Sequence, residues 1–162
     1  MSLPKAKESS EYLDLLSGSV DEKSQIREYI SKYPKGVFVD IGGGGGEVLS
    51  AMMAEMDRLK KENIEYDQSL IALDSSKGAL QAIFERFPDL KDRNNLRAIH
   101  SDAVHTTLKE CSVDGINVSD VLHEIGSYAQ GRASIKQFIR EANRILKSGG
   151  VLVFRDPEGL DI

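Results

Sequence analysis

Five short runs of aliphatic residues punctuate the chain, and most of the stretches between them carry apolar side chains at three- and four-residue spacing. The runs Val37–Ile41, Ser69–Leu73, Leu96–His100, Val113–Ser119 and Val151–Arg155 read as strands, because they are short, rich in β-branched residues and closed by turn-forming residues. Between them, Val48, Leu49, Met52, Met53, Met56 and Leu59 form one broad apolar stripe, so a helix follows the first strand. The methionines of that stripe are expected to fill a core. Lys77–Phe87 reads as a second helix, capped by Ser75 or Ser76 and stopped by Pro88. Gly131–Lys147 gives the clearest periodicity, through Ile135, Phe138, Ile139, Ala142, Ile145 and Leu146, with Gly149-Gly150 as a left-handed stop. An earlier helix, Asp21–Tyr33, repeats Ile26, Tyr29, Ile30 and Tyr33 and ends at Pro34 and Gly36. Lys60–Gln68 is a charged stretch expected at the surface. Residues 1–19 form a polar N-terminal segment with a helical turn over Glu11–Leu16, and the domain proper is expected to span 20–162.

Strands alternating with helices, each strand a near-continuous apolar run, predict an α/β domain with a doubly wound, mostly parallel sheet and helices on both faces. Short right-handed crossovers then place a ligand crevice outside the carboxyl ends of the strands. Three acids fall at those ends: Asp40, Asp74 and Asp102. Gly42 to Gly46, five consecutive glycines, follow Asp40 and lead into a helix, an arrangement that lets backbone approach a bound molecule closely. The dinucleotide fingerprint G-x-G-x-x-G is not met, since its third glycine falls on Glu47, Val48 or Leu49 in every register. A carboxylate at the tip of the second strand, Asp74, is placed to accept a pair of ribose hydroxyls; a helix-capping role is the competing assignment. Asp102 can accept from an exocyclic adenine amine while Ala103 offers its N–H, or it can serve a turn. Asp40 can organise the turn amides or draw a ligand ammonium through water, or serve structure alone.

Composition narrows the classes. At 162 residues the chain has a one-domain length, with 40% hydrophobic and 29% charged residues and no tryptophan. The polar beginning does not resemble a signal peptide, and no apolar run approaches the ~18–20 residues that span a bilayer. Cys111 is the single cysteine, so no internal disulfide can form and a cytoplasmic setting is expected. A net charge of −5 disfavours sequence-blind contact with nucleic acid, leaving a small molecule or a protein as the expected partner. His100, His105, His123 and Cys111 show no tight metal-ligand spacing, and neither a G-x-S-x-G elbow nor a G-x-x-x-x-G-K-[ST] loop occurs.

Taken together, several motifs resemble those of the class I S-adenosylmethionine (SAM) dependent methyltransferases. Val39–Gly46 resembles their first motif, acid-x-G-x-G-x-G. Asp74 stands for the acid of the second strand, Asp102-Ala103 for the pair after the third, and Asp114–Glu124 for the fourth-strand segment. EANRILKSGGVLVFRD is similar to their R-x-L-K-P-G-G block, with Ser148 in place of proline. The resemblance implies a Rossmann-like sheet and the cofactor SAM held by Asp40, Gly42, Gly43, Gly44, Gly46, Asp74, Ser75, Asp102, Ala103 and Ser119, with Asp120 as an alternative to Ser119. It also implies an acceptor near His123 and Glu124, His123 taking a proton and Glu124 orienting it or holding an ammonium, with Tyr128 lining the pocket. Family members usually add an antiparallel hairpin beside the fifth strand, and a domain without that hairpin is expected from the few residues after VLVFR. An exposed fifth-strand edge is expected to pair with a second copy or a further domain. Two other functions remain open from sequence: an NAD-dependent oxidoreductase, and a non-catalytic SAM-binding module of a larger protein.

Overall fold

The computed structural model describes residues 27–42, 45–119 and 132–155. Five strands, β1 (Val37–Ile41), β2 (Ser69–Asp74), β3 (Leu96–His100), β4 (Val113–Ser119) and β5 (Leu146–Arg155), form one sheet in the order β3-β2-β1-β4-β5, with every pairing parallel. Helix α1 (Glu47–Glu62) follows β1, α2 (Lys77–Arg86) follows β2, and α3 (Arg132–Ile145) precedes β5. This is the α/β, doubly wound architecture that the alternation predicts. The strand order reverses its direction of growth at β1, so the switch point opens between the carboxyl ends of β1 and β4.

Alternation along each strand divides the apolar residues between two cores. Phe38, Leu70 and Ala72 face Leu49, Met52, Met53 and Met56 of α1 and Leu80 and Ile83 of α2. Val39, Ile41, Ile71, Leu73, Ile116 and Val118 face Phe138, Ala142 and Ile145 of α3. The three methionines of α1 therefore do fill core, as their spacing predicts. Residues 27–31 are helical and sit on the first face, where Tyr29 and Tyr33 each meet Phe38 edge-on.

Three expectations need correction. First, α3 stops at Ile145, before Lys147, and β5 starts at once with Leu146. The last helical carbonyls are already satisfied: Cys111 N–H donates to Arg144 O (2.9 Å) and Ser112 N–H to Ile145 O (2.8 Å). No glycine stop is needed there. Gly149 does take a left-handed φ of 82°, but it lies in an irregular stretch between the pairs Val113–Leu146 and Gly115–Val151. Regular pairing resumes at Val151, where the sequence places the strand. Second, Gln68 is buried at the end of the charged stretch, because its amide donates to Ile30 O and Tyr33 O at 2.8 and 3.0 Å. Third, β3 is an edge strand with Arg97, Ala98 and His100 exposed, so it is not covered on both faces.

The connection from β3 to β4, residues 101–112, contains no helix. It is fastened to α3 by one side-chain network. Glu141 Oε1 accepts from Thr106 N–H (3.0 Å) and Thr106 Oγ1 (2.7 Å), while Arg144 donates to both Glu141 oxygens and to Leu108 O (2.7 Å).

Candidate functional site

The carboxyl ends of the strands carry Asp40, Asp74, Ser119 and, two residues past β3, Asp102, and the register shows how they come together. Ile41 pairs with Leu73 and Val118, and Asp74 pairs with His100. The ladder runs on past the strands: Gly42 N–H donates to Leu73 O and Ser101 N–H to Asp74 O, both at 3.0 Å. Asp74, the glycine turn, Asp102 and the end of β4 at Ser119 therefore share one edge of the sheet, as the sequence requires.

At that edge, two acids use the same local device. Asp74 Oδ1 accepts from Ser76 N–H at 2.8 Å, and Asp102 Oδ1 accepts from Val104 N–H at 3.0 Å. Each is an Asx turn, which fixes the carboxylate's direction with one oxygen. The second oxygen of each, Oδ2, makes no hydrogen bond among the described residues and remains able to accept from a ligand hydroxyl or amine. Asp74 is half-buried and Asp102 exposed. The cap of α2 is Ser76, whose Oγ accepts from Ala79 N–H (3.1 Å), so Asp74 is not itself the capping residue. His100 steadies the neighbourhood: its Nε2 lies 2.9 Å from Ser75 O, joining β3 to the β2–α2 turn. Ala103 is buried beside Asp102.

Asp40 behaves differently from the other two. It is only 1% exposed and lies beneath the first face of the sheet, where its Oδ1 accepts from Asn117 Nδ2 at 2.7 Å. The two residues are register partners across β1 and β4, so this bond spans the switch point. Neither residue's interactions end with that bond.

The glycine turn is shaped by two left-handed residues, Gly42 (φ 64°) and Gly46 (φ 88°), a conformation that costs an L side chain roughly 1–2 kcal/mol. Gly46 is the N-cap of α1 and provides no side-chain cap. A Cβ on Gly46 would meet Ile83 Cγ2 at 2.9 Å and the Phe87 ring at 3.3 Å. A Cβ on Gly45 would fall on Arg86 Nη1 and the Glu47 carboxylate. The second half of the turn is thus glycine because the end of α2 packs against it.

Gly43, Gly44, Asp120, His123, Glu124 and Tyr128 lie outside the described residues. Among the described residues, no cluster of three His, Cys, Asp or Glu side chains could hold a metal ion, and no helix is long and apolar enough to cross a membrane. A cavity of about 540 Å³ opens at the opposite, amino-terminal end of the strands, lined by Val37, Ile71, Arg97, Leu108 and Lys109 among others. It is remote from the acids.

Sequence reasoning missed three contributors. Asn117 had a signal: an amide inside the apolar run GINVS, in a position that β4 turns inward. The Arg86–Glu47 pair and the His100–Ser75 contact join residues far apart in sequence, and no local pattern announces them.

A family model described as "Methyltransferase domain" matches residues 39–154. No curated protein matches the sequence. Among solved structures, the chain is similar to the YcgJ protein of Bacillus subtilis, with 20% identity and a TM-score of 0.59 over 81% of this chain and 49% of that one. It is also similar to the trans-methyltransferase CalH, crystallised with SAH, with 16% identity and a TM-score of 0.66 over 92% of this chain and 40% of that one. The CurJ carbon methyltransferase gives 19% identity and a TM-score of 0.64 over 90% and 38%. At such identities the likeness is one of fold, and the chain spans about half the length or less of these three structures. The matched segment runs from β1 through the glycine turn to the penultimate residue of β5, and takes in every acid of the candidate site: the chain belongs to the methyltransferase domain family.

Proposed function

We propose that this domain binds SAM over the ends of β1, β2 and β3 and supports methyl transfer to a small-molecule or protein acceptor. The observation that carries this reading is the pair of Asx-turned carboxylates, Asp74 and Asp102, each with a second oxygen that accepts from none of the described residues, at the same sheet edge as the glycine turn. Their donor-accepting chemistry fits a nucleoside: Asp74 for the ribose hydroxyls, Asp102 for the adenine amine, with Ala103 N–H and the Ser75 turn beside them. Gly42, Gly43, Gly44, Gly46 and Ser119 would meet the amino-acid portion. Asp40, buried with Asn117, would act by holding the turn rather than by touching the ligand.

SAM supplies a methyl group on a sulfonium centre that is displaced in line. Alignment alone then provides much of the acceleration, and a base is required only where the nucleophile carries a proton. We assign uptake of that proton to His123, because an imidazole is the side chain ordinarily suited to exchange a proton near neutral pH, and its orientation to Glu124. β5 is the outer strand of the sheet among the described residues, and its outer edge is the surface proposed to pair with a second copy or a further domain; a cytoplasmic setting suits the chemistry.

The test is calorimetry with S-adenosylhomocysteine and, separately, NAD. Binding of the former with no binding of the latter is expected, and Asp74→Ala should weaken it by at least tenfold, about 1.4 kcal/mol. Binding of NAD alone, or an unchanged affinity in the variant, would refute the assignment.

A further inference from the structure

Arg86 lies outside every motif that the sequence singles out, yet it reaches the turn between β1 and α1. From the last turn of α2 its Nη1 donates to Gly45 O at 3.2 Å and pairs with Glu47 Oε1. The Glu47 side chain is 8% exposed, against 31% for Arg86. The guanidinium carbon also stands 5.2 Å from the centroid of the Phe87 ring. A buried carboxylate is retained only where something answers it, and here the answer comes from a different helix.

The position of Glu47 makes the pairing consequential. It is the first residue of α1, where the helix's opening N–H groups and macrodipole attract negative charge. Gly46, the N-cap, has no side chain with which to occupy those N–H groups. A Glu47 carboxylate without its cation would be drawn over the same N–H groups and would oppose any anionic part of a ligand. The bond to Gly45 O acts in the same sense, since it holds that carbonyl toward α2.

We propose that Arg86 is a positioning residue for the cofactor: by holding Glu47 and the Gly45 carbonyl against α2, it keeps the amino end of α1 open to the carboxylate of SAM. This rests on the SAM reading above. Arg86→Met is expected to lower affinity for S-adenosylhomocysteine about tenfold. Glu47→Gln alone should change it less than threefold, and adding Glu47→Gln to Arg86→Met should restore it to within threefold of the parent. Arg86→Lys, which keeps the charge without the fork, should fall between, and it guards against a poorly folded methionine variant. A merely structural role for Arg86 predicts no rescue by removal of the Glu47 charge.

Amide hydrogen exchange without ligand supplies an independent readout. The N–H groups of Glu47, Val48 and Leu49 should exchange more slowly in Arg86→Met, where Glu47 covers them, and return to the parent rate in the double variant. Unchanged exchange, or affinity loss that the double variant fails to repair, overturns the proposal. A parent chain that shows the exchange pattern but binds no S-adenosylhomocysteine refutes the SAM reading while leaving the role of Arg86 at the turn intact.

Discussion

The Asp40–Asn117 bond is open to a quantitative test, because both partners are nearly sealed from water, at 1% and 3% exposure. Asn117→Ala takes one donor from Asp40 Oδ1, and Asp40→Ala takes one acceptor from the Asn117 amide. Each leaves a buried polar group short of a partner, which costs about 1–3 kcal/mol beyond the lost contact itself. The double variant removes donor and acceptor together and should therefore cost less than the sum of the singles. The coupling should be about 1 kcal/mol for a neutral pair, rising to about 3 if the carboxyl is ionised. Urea unfolding followed by circular dichroism gives the three differences, provided the denaturant slope is unchanged. Additivity within about 0.5 kcal/mol would mean that the 2.7 Å contact does not stabilise the β1–β4 junction, and the structural role given to Asp40 would fail.

Two further perturbations follow from other parts of the molecule. The Tyr29 hydroxyl is buried with no hydrogen-bond partner among the described residues, packed where a side chain on Gly115 would lie; burial, and then the nearby Tyr33, Asp40 and Asp114, hold its pKa far above the usual phenol value. Tyr29→Phe should thus raise stability by up to about 1 kcal/mol in the same urea assay, and a clear loss would reveal a partner for that hydroxyl. Glu141 is held at a pKa of about 2, below its ordinary 4.5, chiefly by the Arg144 hydrogen bonds and, against burial, by Thr106. Because the folded value lies below the unfolded one, its contribution is complete above pH 4.5 and disappears as pH falls toward 2. Glu141→Gln should flatten the fall of the unfolding midpoint across that interval, and an unaltered slope would refute the network's part in fixing the 101–112 connection.

The strands were legible because their apolar runs are short and bounded by Pro, Gly or Asp, and β1 to β4 fall where the sequence puts them. The end of α3 was not, because its closing carbonyls are satisfied by Cys111 and Ser112, residues some thirty positions earlier that no local pattern connects to it. The exposure of β3 was hidden for a related reason: LRAIH reads as apolar, but whether a helix covers it depends on the 101–112 connection. Asp74 and Asp102 could be placed from their positions in the sequence, since Asp74 ends β2 and Asp102 follows β3 by two residues, both at the carboxyl end of a parallel strand. What their oxygens do locally depends on Ser76 and Val104, two residues onward, and on turn geometry that spacing does not determine.

Helix α2 starts beside the Asp74 turn and delivers Arg86 to the glycine turn, ten residues long from Lys77 to Arg86. At 1.5 Å per residue it is a strut of about 15 Å, and each residue also turns it by about 100°. Its length is accordingly a gauge: one residue more or fewer would swing the guanidinium off Glu47 while leaving Asp74 where it is. A residue inserted in the middle of α2 would thus undo a contact at the glycine turn while standing well away from it.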